Sequence, residues 1–279
     1  MLHIYIAAIL GVILFCNWQN NAITIHRLAY QSEEVPVEFD GTRIVQISDL
    51  HNKQFGKGQA ALLEKIRVCA PDIIVVTGDL IDSRRTNRKT AMELIDGAVR
   101  IAPVYFVSGN HEARIEGYGE FSKELKQSGV ILLDNDSVNI EKDGAQIQLI
   151  GLADPTFTTG DEENATIKQE EVMHDTLETA DISSCTVLLS HRPELITTYA
   201  KYGINLVFSG HAHGGQIRLP FIKGLYAPGQ GILPTYTGGF YRVATTTMVV
   251  SRGLGNSVFP QRILNRPEII VLTLRHSPA

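Results

Sequence analysis

Short apolar runs recur along the chain and end in Gly, Asp, Asn or His. The runs at 43–47, 73–77, 104–108, 186–190 and 206–209 are rich in Val, Ile, Leu and Phe, as buried strands are. In open α/β sheets ligands bind in the crevice outside the carboxyl ends of the strands. We therefore expect the polar residues that follow these runs to converge on a common site.

Amphipathic segments separate the first three runs. Residues 59–70 place Leu62 and Ile66 one helical turn apart, and Pro71 stops this helix before the next strand. Residues 90–101 repeat the pattern. Two β-α-β units in succession predict a parallel sheet with helices packed outside it.

The middle of the chain changes to an antiparallel pattern. Further elements are predicted as a helix at 118–128, a hairpin of 137–141 with 145–151, an acidic helix at 161–180, and closing strands at 246–251 and 268–274. The sequence thus indicates an α/β fold of mixed strand order.

Composition narrows the class of protein. A balanced chain of 279 residues is compatible with one large α/β domain. The net charge of -5 argues against a nucleic-acid partner, and we interpret the short basic patch that contains Arg84 and Arg85 as a solvated loop. The three cysteines form no C-x-x-C pair, which excludes a thiolate zinc site. No protein partner is implied.

The leader carries a membrane signal. Residues 4–16 are uninterrupted and apolar, Trp18 follows, and the first basic residue is Arg27. The run has the length of a signal-peptide core, but the uncharged stretch continues to Ile25, so a spanning anchor, a cleaved signal and a buried core helix are all compatible with it. We favour an uncleaved anchor over residues 1–20, followed by a domain over 21–279 that lies outside the cytoplasm, although Arg27 favours the opposite orientation.

The strand ends supply a set of metal-competent side chains. Imidazole and carboxylate together suit zinc, manganese or iron better than calcium. In extended backbone, alternate residues point to one side, so each i, i+2 pair could give two donors to one centre. The candidates are Asp49, His51, Asp79, Asn110, His191, His211 and His213. They are too many for one tetrahedral ion, whereas two ions that share a carboxylate would use them all.

Any of these residues alone has a simpler interpretation. A lone Asp49 or Asp79 is usually a turn or cap residue, and a lone His191 is usually a hydrogen-bonded core histidine. The joint arrangement changes this, because chance rarely places a ligand type at the end of successive apolar strands. We therefore expect a bound pair of divalent metal ions.

These motifs closely resemble those of the calcineurin-like metallophosphoesterase superfamily. The blocks appear in order as Asp49-Leu50-His51, Gly78-Asp79, Gly109-Asn110-His111-Glu112, a lone His191 and Gly210-His211-Ala212-His213. The stretches 210–220 and 251–255 further resemble the bacterial membrane-associated, phosphodiesterase-like branch. The resemblance implies a four-layered α/β/β/α sandwich, in which two mixed sheets are flanked by helices.

The resemblance also implies a role for each residue. Asp49, His51 and His213 would hold one ion, while Asn110, His191 and His211 would hold the other, with Asp79 bridging them. His111 would donate a proton or orient the phosphate. Asp82 and Glu112 would act behind the ligands, and Glu112, which stands where Asp is frequent, would orient the histidine before it. We considered Arg252 both as a ligand for a substrate phosphate and as an ordinary surface arginine.

The function implied is hydrolysis of a phosphoester. Two ions about 3.5–4 Å apart lower the pKa of a bridging water and clamp an in-line displacement, so hydroxide would be the nucleophile. With the anchor beside it, the site suggests a phosphodiester or pyrophosphate bond in a lipid-linked or envelope substrate. The alternatives are a phosphomonoesterase, a mononuclear hydrolase of another ester or amide, and a non-catalytic metal-binding scaffold.

Overall fold

The computed structural model describes residues 1–159, 165–178, 185–256 and 259–278. Its strands are β1 (Thr24–Ser32), β2 (Arg43–Ile47), β3 (Ile73–Thr77), β4 (Val104–Val107), β5 (Ile131–Leu132), β6 (Asp136–Lys142), β7 (Ala145–Gly151), β8 (Cys185–Leu189), β9 (Leu206–Ser209), β10 (Tyr226–Ala227), β11 (Gly231–Ile232), β12 (Gly239–Val243), β13 (Thr246–Val250) and β14 (Glu268–His276). Its α-helices are α1 (Leu2–Asn21), α2 (Ala60–Cys69), α3 (Arg88–Ala98), α4 (Asn110–Ala113), α5 (Tyr118–Gln127), α6 (Thr156–Thr159), α7 (Ala165–Glu178) and α8 (Ile196–Lys201).

The strands form two six-stranded sheets of mixed direction. The first sheet has the order β1-β14-β2-β3-β4-β5, and the second has the order β12-β13-β9-β8-β7-β6. In the first sheet only the β14–β2 pair is antiparallel; in the second, the outer pairs β12–β13 and β6–β7 are antiparallel and the central pairs are parallel.

Three apolar cores separate four layers. The central core lies between the sheets and contains Val75, Phe208 and Leu272. A second core packs α2, α3 and α5 on the first sheet, and a third packs α7 and α8 on the second sheet. The predicted α/β/β/α sandwich is confirmed, because each sheet buries one face against the other and one face under helices.

The local predictions are also confirmed where the structure describes them. Strands β2, β3 and β4 pair in parallel register, with α2 and α3 between them in sequence. The hairpin β6–β7 turns at Asp143-Gly144, both of which have positive φ. Of the acidic helix predicted at 161–180, α7 covers 165–178, and the remaining residues lie outside the described part of the chain.

The leader forms the single helix α1, which is long and apolar enough to cross a membrane. Its side chains are exposed except near its end, where Gln19 is buried. The alternative of a buried core helix is therefore wrong. The helix ends at Asn21 and β1 begins at Thr24, and the division of the chain into an anchor and a domain stays a prediction.

Candidate metal centre

The carboxyl ends of β2, β3, β4, β8 and β9 meet on one side of the sandwich, and all seven candidate ligands lie there and are buried. The parallel strands of both sheets point their carboxyl ends to this side. The two sheets therefore each supply part of one cluster, as the sequence pattern predicted.

The first group of potential ligand atoms comes from Asp49, His51, Asp79 and His213, all within 4.8 Å of one another. The Nε2 atoms of His51 and His213 are 3.0 Å apart. Oδ1 of Asp49 lies 3.3 Å from Nε2 of His213. Two imidazoles whose ring nitrogens face each other beside carboxylates form a set that a divalent cation fits.

The second group comes from Asp79, His191 and His211. Nε2 of His191 lies 3.2 Å from Oδ1 of Asn110 and 3.2 Å from Nδ1 of His211. The other ring nitrogen of His191 faces the carbonyl oxygen of Thr77 at 2.7 Å, which fixes the proton on Nδ1 and leaves Nε2 for a ligand. Three acceptors thus face one point.

Asp79 belongs to both groups. Its Oδ2 lies 3.5 Å from Nε2 of His51 and 3.2 Å from Nε2 of His191. Its Oδ1 accepts the backbone N–H of His111 at 2.8 Å, which orients the carboxylate. One oxygen that faces both groups is the arrangement a bridging ligand requires.

The expected extended geometry of the i, i+2 pairs is wrong. Asp49, His51, His211 and His213 have φ values of 53°, 46°, 64° and 47°, so each pair lies in a left-handed turn after its strand. Asp49 and His51 still reach one group, but His211 and His213 fall in different groups, as the resemblance implied. Gly78 is required nearby, because its φ is 85° and a Cβ there would lie 2.6 Å from the amide nitrogen of Gly109.

The electrostatics favour positive charge between these groups. Burial lowers the pKa of His51 to about 3 and the pKa values of His211 and His213 well below their usual range, so these rings are neutral, as metal ligands are. Burial acts in the same direction on His191, but the Asp79 carboxylate outweighs it and raises the pKa of His191 to about 10. Burial would raise the pKa of Asp79, yet the charge of His191 holds it well below its usual range. A divalent cation supplies the same positive charge to these acceptors.

Glu112 acts differently from the expectation. Its carboxylate accepts the backbone N–H groups of Asp79 at 2.7 Å, Ile81 at 3.1 Å and Gly109 at 2.9 Å. Glu112 therefore links the loops after β3 and β4 by hydrogen bonds. It does not contact the His111 ring, so the prediction that it orients this ring is wrong. Burial and the nearby Asp79 charge raise the pKa of Glu112 to about 8.

His111 is oriented by the loop that contains Asp82. Its Nδ1 accepts the backbone N–H of Ser83 at 3.0 Å and lies 3.5 Å from Oδ1 of Asp82. Its ring stands edge-on to His51, with the ring centroids 4.5 Å apart. Hydrogen bonding to Nδ1 places the ring proton on Nε2, which is where a phosphate oxygen could accept it.

Sequence reasoning missed the buried pair Arg192–Asp154. Nε and Nη2 of Arg192 donate to the two carboxylate oxygens at 2.6 and 3.0 Å, and Nη1 lies 3.2 Å from Nε2 of His211. The carboxylate of Asp154 holds this guanidinium behind a candidate ligand. A usable signal was present, because Asp154 follows the end of β7 just as the candidate ligands follow their strands.

The mouth of the site lies beside the basic patch. A cleft of about 580 Å³ in front of His51 is lined also by Asn52, Asp82, Arg84, Arg85, Asn87, Asn256 and Pro260. Arg84 and Arg85 are exposed in a loop, as predicted, and this loop forms part of the cleft wall. Arg84 forms a bidentate pair with Asp82 at 3.0 and 2.9 Å.

Arg252 is not an ordinary surface residue, since its side chain is only 14% exposed. Its Nε donates to Glu268 at 2.7 Å, and Nη2 lies beside His26. The guanidinium is thus directed to this ion pair and not to the ligand set. The suggested contact with a substrate phosphate gains no support from its position.

Comparison with known proteins agrees with the geometry. The family model described as calcineurin-like phosphoesterase matches residues 42–215. An uncharacterised metallophosphoesterase of Bacillus subtilis is 31% identical over 250 residues, which cover 88% of this chain and 83% of the relative. A bovine transmembrane protein with a metallophosphoesterase domain is 29% identical over 92% of this chain, which spans only 56% of that relative.

Solved structures show the same fold. TT1561 of Thermus thermophilus aligns with a TM-score of 0.52 at 13% identity, over 76% of this chain and 90% of that one. A phosphopantetheinyl hydrolase of Mycobacterium tuberculosis aligns with a TM-score of 0.50 at 16% identity, over 78% of this chain and 92% of that one.

Proposed function

The chain belongs to the calcineurin-like phosphoesterase family and is thus a phosphoric ester hydrolase, and on that premise we propose that it is a dinuclear phosphodiesterase. The observation that carries the proposal is the position of Asp79, whose Oδ2 faces both groups of candidate ligands. Asp49, His51 and His213 would hold one ion, Asn110, His191 and His211 would hold the other, and Asp79 would bridge them.

Two bound ions, manganese, zinc or iron, would supply positive charge that polarises the phosphoryl group and activates water as the nucleophile. The chain's own residues position the substrate and the ligands. Glu112 accepts hydrogen bonds from the backbones of Asp79 and Gly109 and so holds their two loops together. Arg192 lies behind His211. His111 donates a hydrogen bond from Nε2 to the phosphate or transfers a proton to its leaving group.

The cleft supports a diester substrate. Its volume of about 580 Å³ lies in the range typical of small-molecule sites and exceeds what a phosphate group alone needs. A phosphodiester or pyrophosphate could extend on both sides of the phosphorus atom. Arg85 at the wall favours an anionic substrate, whereas the charge of Arg84 is already paired with Asp82.

A panel of substrates tests the proposal. Full-length protein purified in mild detergent should contain two ions per chain and should hydrolyse an aryl phosphodiester faster than the matching aryl phosphomonoester, with no turnover of the carboxylester. Asp79→Asn, purified identically, controls for contaminating hydrolases. Preference for the monoester would make the protein a phosphomonoesterase, whereas carboxylester turnover with one ion would indicate a mononuclear hydrolase. Two bound ions without turnover would indicate a scaffold.

We also propose that α1 anchors the protein in a membrane with the domain outside the cytoplasm. The helix is long and apolar enough to span, and a relative of similar sequence is named a transmembrane protein. The apolar run of 4–16 has the length of an export-signal core, which supports the exported orientation, while Arg27 opposes it. Protease added to intact cells should digest the domain; protection of the domain would reverse the orientation.

A further inference from the structure

The end of α1 is bonded to the loops that carry the site. Oε1 of Gln19 accepts the backbone N–H of Asn265 at 3.3 Å, and Oδ1 of Asn20 accepts that of Arg262 at 2.8 Å. On the other side, Nζ of Lys53 donates to the carbonyl oxygen of Asn20. The helix is thus held between the loop after His51 and the loop before β14, which fixes the domain relative to it.

Backbone hydrogen bonds continue from this joint into the loop after the last candidate ligand. The N–H of Arg218 donates to the carbonyl of Ile263, that of Leu225 to the carbonyl of Ile217, and that of Leu233 to the carbonyl of Leu225, each at 3.0 Å. The segment that follows the last candidate ligand therefore lies beside the segment that is hydrogen-bonded to α1.

Large apolar side chains are exposed along these two segments. We call them the apolar rim, namely Phe221, Ile232, Leu233, Phe259 and Leu264. Phe221 is fully exposed and Ile232 is 81% exposed. Leu264 lines a small cleft together with Trp18 of α1. Groups of exposed apolar residues usually mark a contact surface.

The backbone turns three rim residues outward in an unfavourable conformation. Phe221, Leu233 and Leu264 have φ values of 70°, 55° and 50°. A side chain with a Cβ is disfavoured in this left-handed region, and bulky residues are rare there. Such strain is typical of functional sites, and here it presents apolar groups where Gly or Asn would be ordinary.

We propose that the apolar rim lies in the lipid interface of the bilayer that α1 spans. Leu264 of the rim lines one cleft with Trp18 near the end of the helix, where a membrane surface must lie if the helix spans. Trp18 is half exposed at this end, and the guanidinium of Arg266 lies 4.7 Å from its ring centroid, a pair suited to the headgroup layer.

The rim has a consequence for the substrate, which rests on the proposed phosphoesterase function. Pro260 lines the cleft in front of His51, and its carbonyl oxygen accepts a hydrogen bond from Nδ2 of Asn20 at 3.0 Å. The mouth of the site therefore opens beside the end of the anchor. The substrate is a phosphoester whose acyl chain stays in the bilayer while its headgroup enters the cleft.

Tryptophan fluorescence tests the membrane contact without relying on activity. In the full chain with Trp18→Phe, a single tryptophan is placed by Phe221→Trp, and by Val68→Trp as control, since Val68 is an exposed apolar residue of α2. In vesicles of brominated phosphatidylcholine, emission from position 221 should be quenched and emission from position 68 should not. Equal quenching at the two positions, or no quenching at either, would overturn the proposal. If emission from position 221 is not quenched by the brominated lipid but changes with the protein-to-lipid ratio, a second copy of the chain covers the rim. That result would also overturn the proposal.

A pair of substrates tests the mode of access. Phe221→Ser combined with Leu233→Ser should lower hydrolysis of a phosphodiester lipid in vesicles by about 100-fold or more, since burial of each large apolar side chain corresponds to about tenfold or more. Hydrolysis of a water-soluble aryl phosphodiester should not change, and Val68→Ser should change neither. Equal loss on both substrates would overturn access from the bilayer. If the wild type with two ions hydrolyses neither, the proposed function fails, while the quenching result still decides the contact.

Discussion

Nε2 of His51 lies 3.0 Å from Nε2 of His213, although both imidazoles are buried. Burial lowers the pKa of His51 to about 3 and that of His213 well below its usual range, so both rings are neutral. Each neutral ring has one nitrogen lone pair, so both Nε2 atoms could serve as acceptors for one cation between them. If an ion binds there, it binds the folded loops and not the unfolded chain, so we expect its binding to stabilise the fold.

Removal of metal should destabilise the protein. An ion present at 100 times its dissociation constant stabilises the native state by about 2.7 kcal/mol, so chelation should lower the Tm measurably. The comparison is thermal unfolding of the detergent-solubilised chain as purified, after chelation, and after manganese or zinc is restored. An unchanged Tm after metal analysis shows the ions to be gone would contradict the coupling.

Asp79→Asn should lose both ions, because one Asp79 oxygen faces both ligand groups. Asp49→Asn is the matched control. Because Asp49 belongs to only one group, this substitution should remove only one ion. We expect turnover by Asp79→Asn to fall by roughly 10³-fold or more, the equivalent of several kcal/mol of lost transition-state stabilisation. Metal content per chain and turnover are measured on the same preparation. A folded variant with two ions and near-normal turnover would show that Asp79 does not bridge.

Lys53 should make the domain more stable as pH rises from 7 to about 10. Burial lowers the pKa of Lys53 to about 7 from its ordinary value of 10.5. Between these values the unfolded chain binds the extra proton, so the free energy of unfolding increases with pH. Lys53→Met should remove this increase, which is about 2–4 kcal/mol.

Denaturant unfolding in detergent at several pH values measures the effect. Lys57→Met is the matched control, because Lys57 is an exposed lysine nearby and its loss should leave the slope with pH unchanged. Identical pH profiles for wild type and Lys53→Met would show that the ammonium of Lys53 is not desolvated in the folded protein.

The strand ends could be read from the sequence because strand and site share one pattern. An apolar run that stops at Gly-Asp or Gly-Asn-His marks both the end of a parallel strand and the start of a ligand loop. The mixed strand order followed from the helix and hairpin patterns in the same way, whereas the arrangement in two sheets was implied by the family resemblance. These are local signals, carried by neighbours in the chain.

The missed features depend on contacts between distant segments. Arg192 meets Asp154 across 38 residues, and Asn265 meets Gln19 across 246. Nothing near Arg192 in the sequence distinguishes a buried guanidinium from an exposed one. Glu112 was assigned to its neighbour His111, but its carboxylate accepts two backbone N–H groups from the loop after β3 and one from the loop after β4.

Asn110 and His111 are adjacent in the chain but face different partners. Oδ1 of Asn110 lies 3.2 Å from Nε2 of His191, whereas Nδ1 of His111 accepts the N–H of Ser83. Asn110→Ala should therefore lose an ion. His111→Ala should keep both ions and slow hydrolysis by roughly 10²- to 10⁴-fold, the range of a lost general acid. Metal analysis and turnover separate the two residues.

The choice of leaving group then distinguishes two roles for His111. An aryl phosphodiester releases a stable anion that needs little protonation, whereas an alkyl diester releases an alkoxide that needs a full proton. The Ser83 hydrogen bond favours the neutral ring with its proton on Nε2, and full transfer from Nε2 also requires a proton on Nδ1, which would then face Asp82 at 3.5 Å. If His111 is an acid, His111→Ala should impair the alkyl substrate far more than the aryl substrate. Asp82→Asn should shift the same ratio in the same direction, because Asp82 would stabilise the doubly protonated ring. Equal losses on both substrates with both ions bound would show that His111 orients the phosphate by donating a hydrogen bond and that its proton never leaves the ring.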